Sequence, residues 1–285
     1  MIPQRIFRKD IKLSTVGFGG MVVVGQQQSS VNTLVAESID MGVNYFDVAP
    51  QYGDGEAEIK LGNALKPHRD NVFLACKTLR RDADGAREEL GRSLERLHTD
   101  HFDLYQFHSV SKMQDVEEIF RPGGAIETFV KAREEGLVKY LGFSSHLEEA
   151  ALEMMDRFDF DSILFPTNFV CWYHGNFGPR ALEKAKDKSV SRLGLKSLAL
   201  RSWNETEEKT YPNCWYHPIE DRELARKAMQ FTLSRDVTAL VPPGDHRLFK
   251  LALDLANETL LDEEIPLEEL SKLSLKYEPL FRNEN

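Results

Sequence analysis

Apolar positions along this chain change period repeatedly, from two to about three and a half and back again. Arg5-Ile6-Phe7 and Lys12-Leu13-Ser14 alternate around Lys9-Asp10, which predicts a short N-terminal hairpin closing the bottom of the main fold. A first strand is expected over 15–20, and its glycines, Gly17, Gly19 and Gly20, allow close approach of backbone or ligand. Over 31–41 the residues Leu34, Val35, Ile39 and Met41 recur at helical spacing, with Gly42 as the stop. A short alternating run then ends at Asp47.

The same alternation continues down the chain. Helices are expected over 56–65, 86–97, 125–133, 148–157, 181–186, 219–233 and 247–257. Strands are expected between them over 72–76, 102–107, 138–143, 162–165, 193–198 and 237–241. Strand and helix alternate eight times, which implies parallel strands joined by right-handed crossovers. The number favours a closed barrel over an open sheet. The expected fold is thus α/β, a (β/α)8 TIM barrel with a short N-terminal β-hairpin, forming one domain over 1–285. The acidic tail over 262–285 keeps some apolar character at Leu267, Leu270 and Leu273, as for a short helix packed outside.

Composition narrows the partners. A net charge of −10 argues against nucleic acid or an anionic membrane surface, which both reward a basic protein. No apolar run reaches about 18 residues, so no membrane span is expected. The N-terminus lacks the basic-then-apolar order of a signal peptide. Cys76, Cys171 and Cys214 are far apart and form no C-x-x-C pattern. These features point to a cytoplasmic protein without a metal site; oligomeric state is not legible.

Candidate chemistry sits where strands end. Asp47 closes one strand, and a Pro/Gly-rich loop then carries Tyr52. Lys77 follows the next strand-like run, Val72-Phe73-Leu74-Ala75-Cys76, and His108 follows Asp103-Leu104-Tyr105-Gln106-Phe107. Parallel α/β folds display their chemistry at these strand ends. A carbonyl reduced by hydride must gain a proton on oxygen, and a phenol with a pKa of about 10 donates it better beside a cation. Tyr52 fits the acid, Lys77 the cation, Asp47 the partner that orients Lys77, and His108 the group that fixes the substrate oxygen. Taken singly, each has a plainer reading: Asp47 as a turn cap, Tyr52 as a rim aromatic, His108 as a satisfied core histidine.

The stretch Gly42-Val43-Asn44-Tyr45-Phe46-Asp47-Val48-Ala49-Pro50-Gln51-Tyr52-Gly53-Asp54-Gly55-Glu56 resembles the signature segment of the aldo-keto reductases, a family of (β/α)8 barrel enzymes. Lys77 and His108 match the other two members of that family's Asp/Tyr/Lys/His tetrad, in order. The similarity runs from about Arg5 to Leu255. It implies an NADPH-dependent oxidoreductase that turns an aldehyde or ketone into an alcohol.

The resemblance also implies cofactor contacts. Leu141-Gly142-Phe143-Ser144-Ser145-His146 is similar to a strand-five motif holding the nicotinamide carboxamide, with Ser144 and Ser145 as contacts and Ser145 in place of the usual Asn. Either serine would alternatively cap the next helix. Leu164 stands where the family commonly has a glutamine. Lys196 falls near the place where the family commonly has a tyrosine that stacks on the nicotinamide, or alternatively neutralises the pyrophosphate. Val241-Pro242-Pro243-Gly244-Asp245-His246-Arg247 resembles the loop that grips the 2′-phosphate, with Gly244 and Arg247 as contacts and Lys250 as a further basic candidate. Gly20, after the first strand, completes the expected set. Two aromatic clusters, 169–174 and Trp203 with 214–217, line a substrate pocket or else pack as loops.

Two rival readings stay open. One is a nicotinamide-binding barrel with little turnover, acting as a redox-sensing or partner-binding subunit. The other is a Schiff-base lyase using Lys77, which would need a desolvated lysine of lowered pKa, whereas Asp47 would keep it charged.

Overall fold

The computed structural model describes residues 1–258 and 265–283. Residues 262–264 and 284–285 of the acidic tail lie outside the described residues. Eight parallel strands form one sheet: Phe18–Gly19, Tyr45–Asp47, Phe73–Thr78, Phe102–Val110, Val138–Ser145, Ser162–Pro166, Ser191–Leu195 and Ala239–Val241, each beside its neighbour in sequence. Val16 bridges Leu240 in parallel, so the first and last strands meet and the sheet closes into a barrel. Helices between the strands cover its outside. Among the described residues no helix is long and apolar enough to cross a membrane.

Alternation within each strand sorts the side chains into two cores. One apolar set lies between strands and helices and includes Phe46, Leu74, Phe107 and Phe143. The other fills the barrel interior with Tyr45, Phe73, Ala75, Leu104, Leu164, Leu193, Ala239 and Val241. The N-terminal strands Gln4–Arg8 and Ile11–Ser14 pair antiparallel, as expected. They push Phe7 and Leu13 into this interior set, and Phe7 meets Phe73 edge-on at 5.0 Å. The hairpin is therefore an apolar plug at the N-terminal end of the barrel, and polar chemistry is left to the other end.

The helix expected over 56–65 is observed as Glu56–Leu65, and that over 148–157 as Glu148–Arg157. Other elements differ in informative ways. Helices Met113–Phe120 and Phe169–Tyr173 were not expected. The seventh strand stops at Leu195 rather than 198, because Lys196 has φ +64°, a left-handed backbone that ends pairing. Beyond it a second hairpin, Ala199–Ser202 with Tyr216–Pro218, rises above the barrel. The tail forms a helix, Leu267–Ser274, that buries Leu270, and then returns to the barrel mouth through Phe281.

Candidate active site

The inward-facing series of three neighbouring strands turns polar at its C-terminal end. Tyr45 is followed two residues on by Asp47, Ala75 by Lys77, and Leu104 by Gln106 and then His108. Strand register sets these side by side, with Asp47 opposite Ala75 and Lys77 opposite Gln106. Tyr52 arrives from the loop after Asp47. Gly53, Asp54 and Gly55 all have positive φ there, which folds the loop tightly into the next helix. At Gly55 a Cβ would also sit 2.4 Å from the Arg96 guanidinium, so no other residue fits without moving it.

Asp47, Tyr52, Lys77 and His108 line a single cavity of about 230 Å³ at the C-terminal mouth of the barrel. Lys77 and Asp47 are both buried and form an ion pair. The Lys77 ammonium also lies 3.3 Å from the Tyr52 hydroxyl and 3.4 Å from the Val48 carbonyl, and donates to both. The other Asp47 oxygen accepts from the Tyr45 hydroxyl at 3.1 Å and from Gln106 Nε2 at 3.0 Å. Both Asp47 oxygens are thus engaged as acceptors. Burial opposes charge on Lys77, but Asp47 and then Tyr52 outweigh it and hold the ammonium above its ordinary range.

Tyr52 carries the opposite balance. Burial pushes its phenol up, Lys77 pulls it down, and burial wins, so the hydroxyl keeps its proton at neutral pH. The His108 ring meets that of Tyr52 nearly perpendicular at 5.8 Å. Burial first, and Lys77 second, depress His108 well below its usual range, so the imidazole is neutral. Its Nδ1 lies 3.1 Å from Gln51 Oε1.

Around this floor the expected cofactor residues divide. Ser144, Lys196 and Gly244 line the cavity, together with Leu164. Ser144 Oγ accepts from the Ser109 amide at 2.8 Å. The Lys196 ammonium has no hydrogen bond or ion pair among the described residues, only the ring faces of Tyr216 at 4.7 Å and Trp215 at 5.1 Å. Burial pushes its ammonium down to about 8, with Lys77 acting in the same direction. At Gly244 a Cβ would meet Met21 Cβ at 2.5 Å.

Ser145, Gly20 and Arg247 lie off the cavity lining. Alternation turns Ser145 outward, where its hydroxyl donates to the Val110 carbonyl at 2.6 Å and accepts from the Leu147 amide. The following helix is capped at Leu147 without a side-chain bond, so neither serine is its N-cap. Gly20 packs on Val48, while Gly19 takes the place on the cavity wall. Arg247 grips Asp245 through two 2.9 Å bonds and lies over the Tyr211 ring at 4.4 Å.

Of the two aromatic clusters, Trp215 and Tyr216 reach the cavity from the second hairpin. Trp203 does not; its indole donates to the Cys214 carbonyl at 2.8 Å. Trp172 and Tyr173 pack on Phe231 instead. Sequence reasoning missed Tyr45, Gln106, Met21, Asn213 and His146. Tyr45 and Gln106 were within reach, since each stands two places before a tetrad residue on its strand.

A family model described as "Aldo/keto reductase family" matches residues 15–210. The uncharacterized oxidoreductase YqkF of Bacillus subtilis is 30% identical, over 93% of this chain and 94% of its own. Aldo-keto reductase YhdN of the same organism is 31% identical over 70% of this chain and 62% of its own. Among solved structures, the holo form of aldo-keto reductase AKR11C1 from Bacillus halodurans superposes with a TM-score of 0.72 at 23% identity, covering 97% of this chain and 96% of that one. An aldo-keto reductase from Klebsiella pneumoniae in complex with NADPH gives 0.68 at 20% identity, covering 92% of each. The chain belongs to the aldo/keto reductase family and is an NAD(P)H-dependent oxidoreductase.

Proposed function

We propose that the protein reduces an aldehyde or ketone to an alcohol with NADPH, Tyr52 giving the proton. The observation that carries this reading is the Lys77 ammonium, held by Asp47 and 3.3 Å from the Tyr52 hydroxyl on the cavity floor. A protonated phenol beside a fixed cation is a general acid whose conjugate base is stabilised as it forms. In the proposed reaction the carbonyl oxygen lies between Tyr52 and His108. As the carbonyl carbon gains hydride, the Tyr52 O–H bond breaks, its proton passes to the oxygen, and the phenolate is left against Lys77. His108 polarises the carbonyl as an Nε2–H donor, which requires Nδ1 to accept from the Gln51 amide turned the other way.

Two features of the cavity suit a dinucleotide. Lys196 is a cation without an anionic partner among the described residues, and Gly19 and Gly244 present bare backbone on the wall, where a Cβ would collide with Val241 and Met21. Bound NADPH would supply the hydride. Ser144 is assigned to the carboxamide, Lys196 to the pyrophosphate or nicotinamide, and Gly244 to the wall beside them. Arg247 is assigned to the 2′-phosphate, where it would have to share its guanidinium with Asp245. The NADPH complex of the Klebsiella relative accords with this choice.

Leu164 in the cavity wall, where the family resemblance expects a glutamine, favours the rival of a barrel that holds nicotinamide with little turnover. The Schiff-base alternative is disfavoured because Asp47 keeps Lys77 charged. Three buried free cysteines suit a reducing compartment, and we assign the protein to the cytoplasm. Screening aldehydes and ketones while following NADPH absorbance tests the function directly. Tight NADPH binding with no turnover on any carbonyl would favour the rival.

A further inference from the structure

His146 belongs to the cavity wall but to none of the roles above. It is the next inward-facing residue after Ser144 at the end of the fifth strand. Its ring lies flat on Phe281, with centroids 5.1 Å apart and planes 8° apart. Its Nδ1 is 3.2 Å from the Ser109 hydroxyl. Its Nε2 is buried with no hydrogen-bond partner among the described residues. A buried polar atom without a partner is costly unless a ligand meets it.

The serines beside it fix which nitrogen carries the proton. Ser111 Oγ lies 3.1 Å from the Ser109 carbonyl and 3.0 Å from Ser109 Oγ. A carbonyl only accepts, so the single Ser111 proton goes to it. The Ser109 proton then goes to Ser111 Oγ, and Ser109 Oγ must accept from His146 Nδ1–H. This arrangement satisfies all three contacts, whereas the reverse tautomer satisfies two. Nε2 is therefore a bare acceptor. Burial, and then Lys196, push the imidazole down to about 4, so it stays neutral around pH 7. His146 lines the same cavity as Tyr52 and His108.

We propose that His146 is a specificity-determining residue whose Nε2 accepts a hydrogen bond from a hydroxyl of the substrate, so that the protein selects hydroxylated aldehydes and ketones over their deoxy analogues. The proposal rests on the carbonyl-reductase reading given above. A site built to bond a hydroxyl leaves a buried group unpaired when the analogue lacks it, and so discriminates against that analogue.

Lactaldehyde and propanal differ by one hydroxyl. The kcat/KM ratio of the two is measured for the wild type, His146→Phe and His146→Gln, with NADPH affinity followed by fluorescence. Comparing ratios between proteins cancels the intrinsic reactivity of the aldehydes. Phenylalanine keeps the stack on Phe281 but removes the acceptor, so the lactaldehyde preference should fall about three- to tenfold. Glutamine offers an acceptor and should restore most of it, and NADPH affinity should be equal in all three. An unchanged ratio in His146→Phe, with both aldehydes reduced, overturns the proposal and leaves carbonyl reduction standing. Weaker NADPH binding in His146→Phe also overturns it, by giving the acceptor to the cofactor. A loss confined to methylglyoxal, which offers only acceptors, overturns the tautomer on which it stands. No reduction of any carbonyl by the wild type overturns the underlying reading as well.

Discussion

The Tyr52 hydroxyl stands 3.3 Å from the Lys77 ammonium, which is itself bonded to Asp47. The phenol is pushed up by burial and pulled down by the cation, so it holds its proton yet releases it more easily than it would in the same pocket without Lys77. Removing only its oxygen isolates that role. Tyr52→Phe should keep the fold and NADPH affinity while carbonyl turnover falls by about 10²–10⁴. Steady-state kinetics beside a fluorescence titration check it, and a variant that binds NADPH and turns over near the wild-type rate refutes the assignment.

Lys77→Met should damage both stability and chemistry. It leaves the buried Asp47 carboxylate with only Tyr45 and Gln106 as donors. Breaking a buried pair by removing one partner costs about 3–5 kcal/mol. Urea unfolding should show a loss of that order, and residual turnover should shift toward the pH dependence of an unassisted phenol. A variant as stable as the wild type would mean that the pair contributes little net energy.

Arg247 gives a prediction about the adenosine end of the cofactor. Wild type should bind NADPH more tightly than NADH, and Arg247→Ala should lose about tenfold or more toward NADPH alone. The engagement of Arg247 with Asp245 works against this contact, so Asp245→Asn should strengthen NADPH binding. Equal affinity for both cofactors in the wild type would remove the 2′-phosphate from this loop.

Lys196 makes cofactor affinity depend on pH. Its ammonium titrates near 8 in the unliganded protein, and an anion beside it favours the charged form. Below about 8 the charge is already present; above it, binding must take up a proton. Affinity should therefore be flat from pH 6.5 to 7.5 and decline above pH 8, by up to tenfold per unit. Lys196→Met should bind more weakly at pH 7 and lose the decline. An unaltered pH profile in that variant would place the titrating group elsewhere.

The chain announces its barrel and the polar ends of three strands because both are short-range patterns. Asp47, Lys77 and His108 each close an alternating run, and Tyr52 follows on a loop rich in turn residues. Tyr45 and Gln106 were legible by the same alternation, since each faces inward beside Asp47. The rest depends on contacts that no local pattern encodes. A left-handed backbone at Lys196, without glycine, hides the end of the seventh strand. Trp215 and Tyr216 reach the cavity only because a distant hairpin rises over it. Ser145 looks equivalent to Ser144 in sequence, yet one step along a strand turns it to the other face.

The closure of the barrel divides the site between near and distant parts of the chain. Asp47 and Lys77 are 30 residues apart, and Tyr52 and Lys77 are 25 apart, so the tetrad forms between consecutive units with short loops. The wall at Gly244, by contrast, comes together with Gly19 only where the two ends of the sheet join, at the bridge between Val16 and Leu240. Loop-closure entropy falls on that seam. Ligand occupancy of the finished cavity would therefore act as a clasp across the seam between the two ends of the chain.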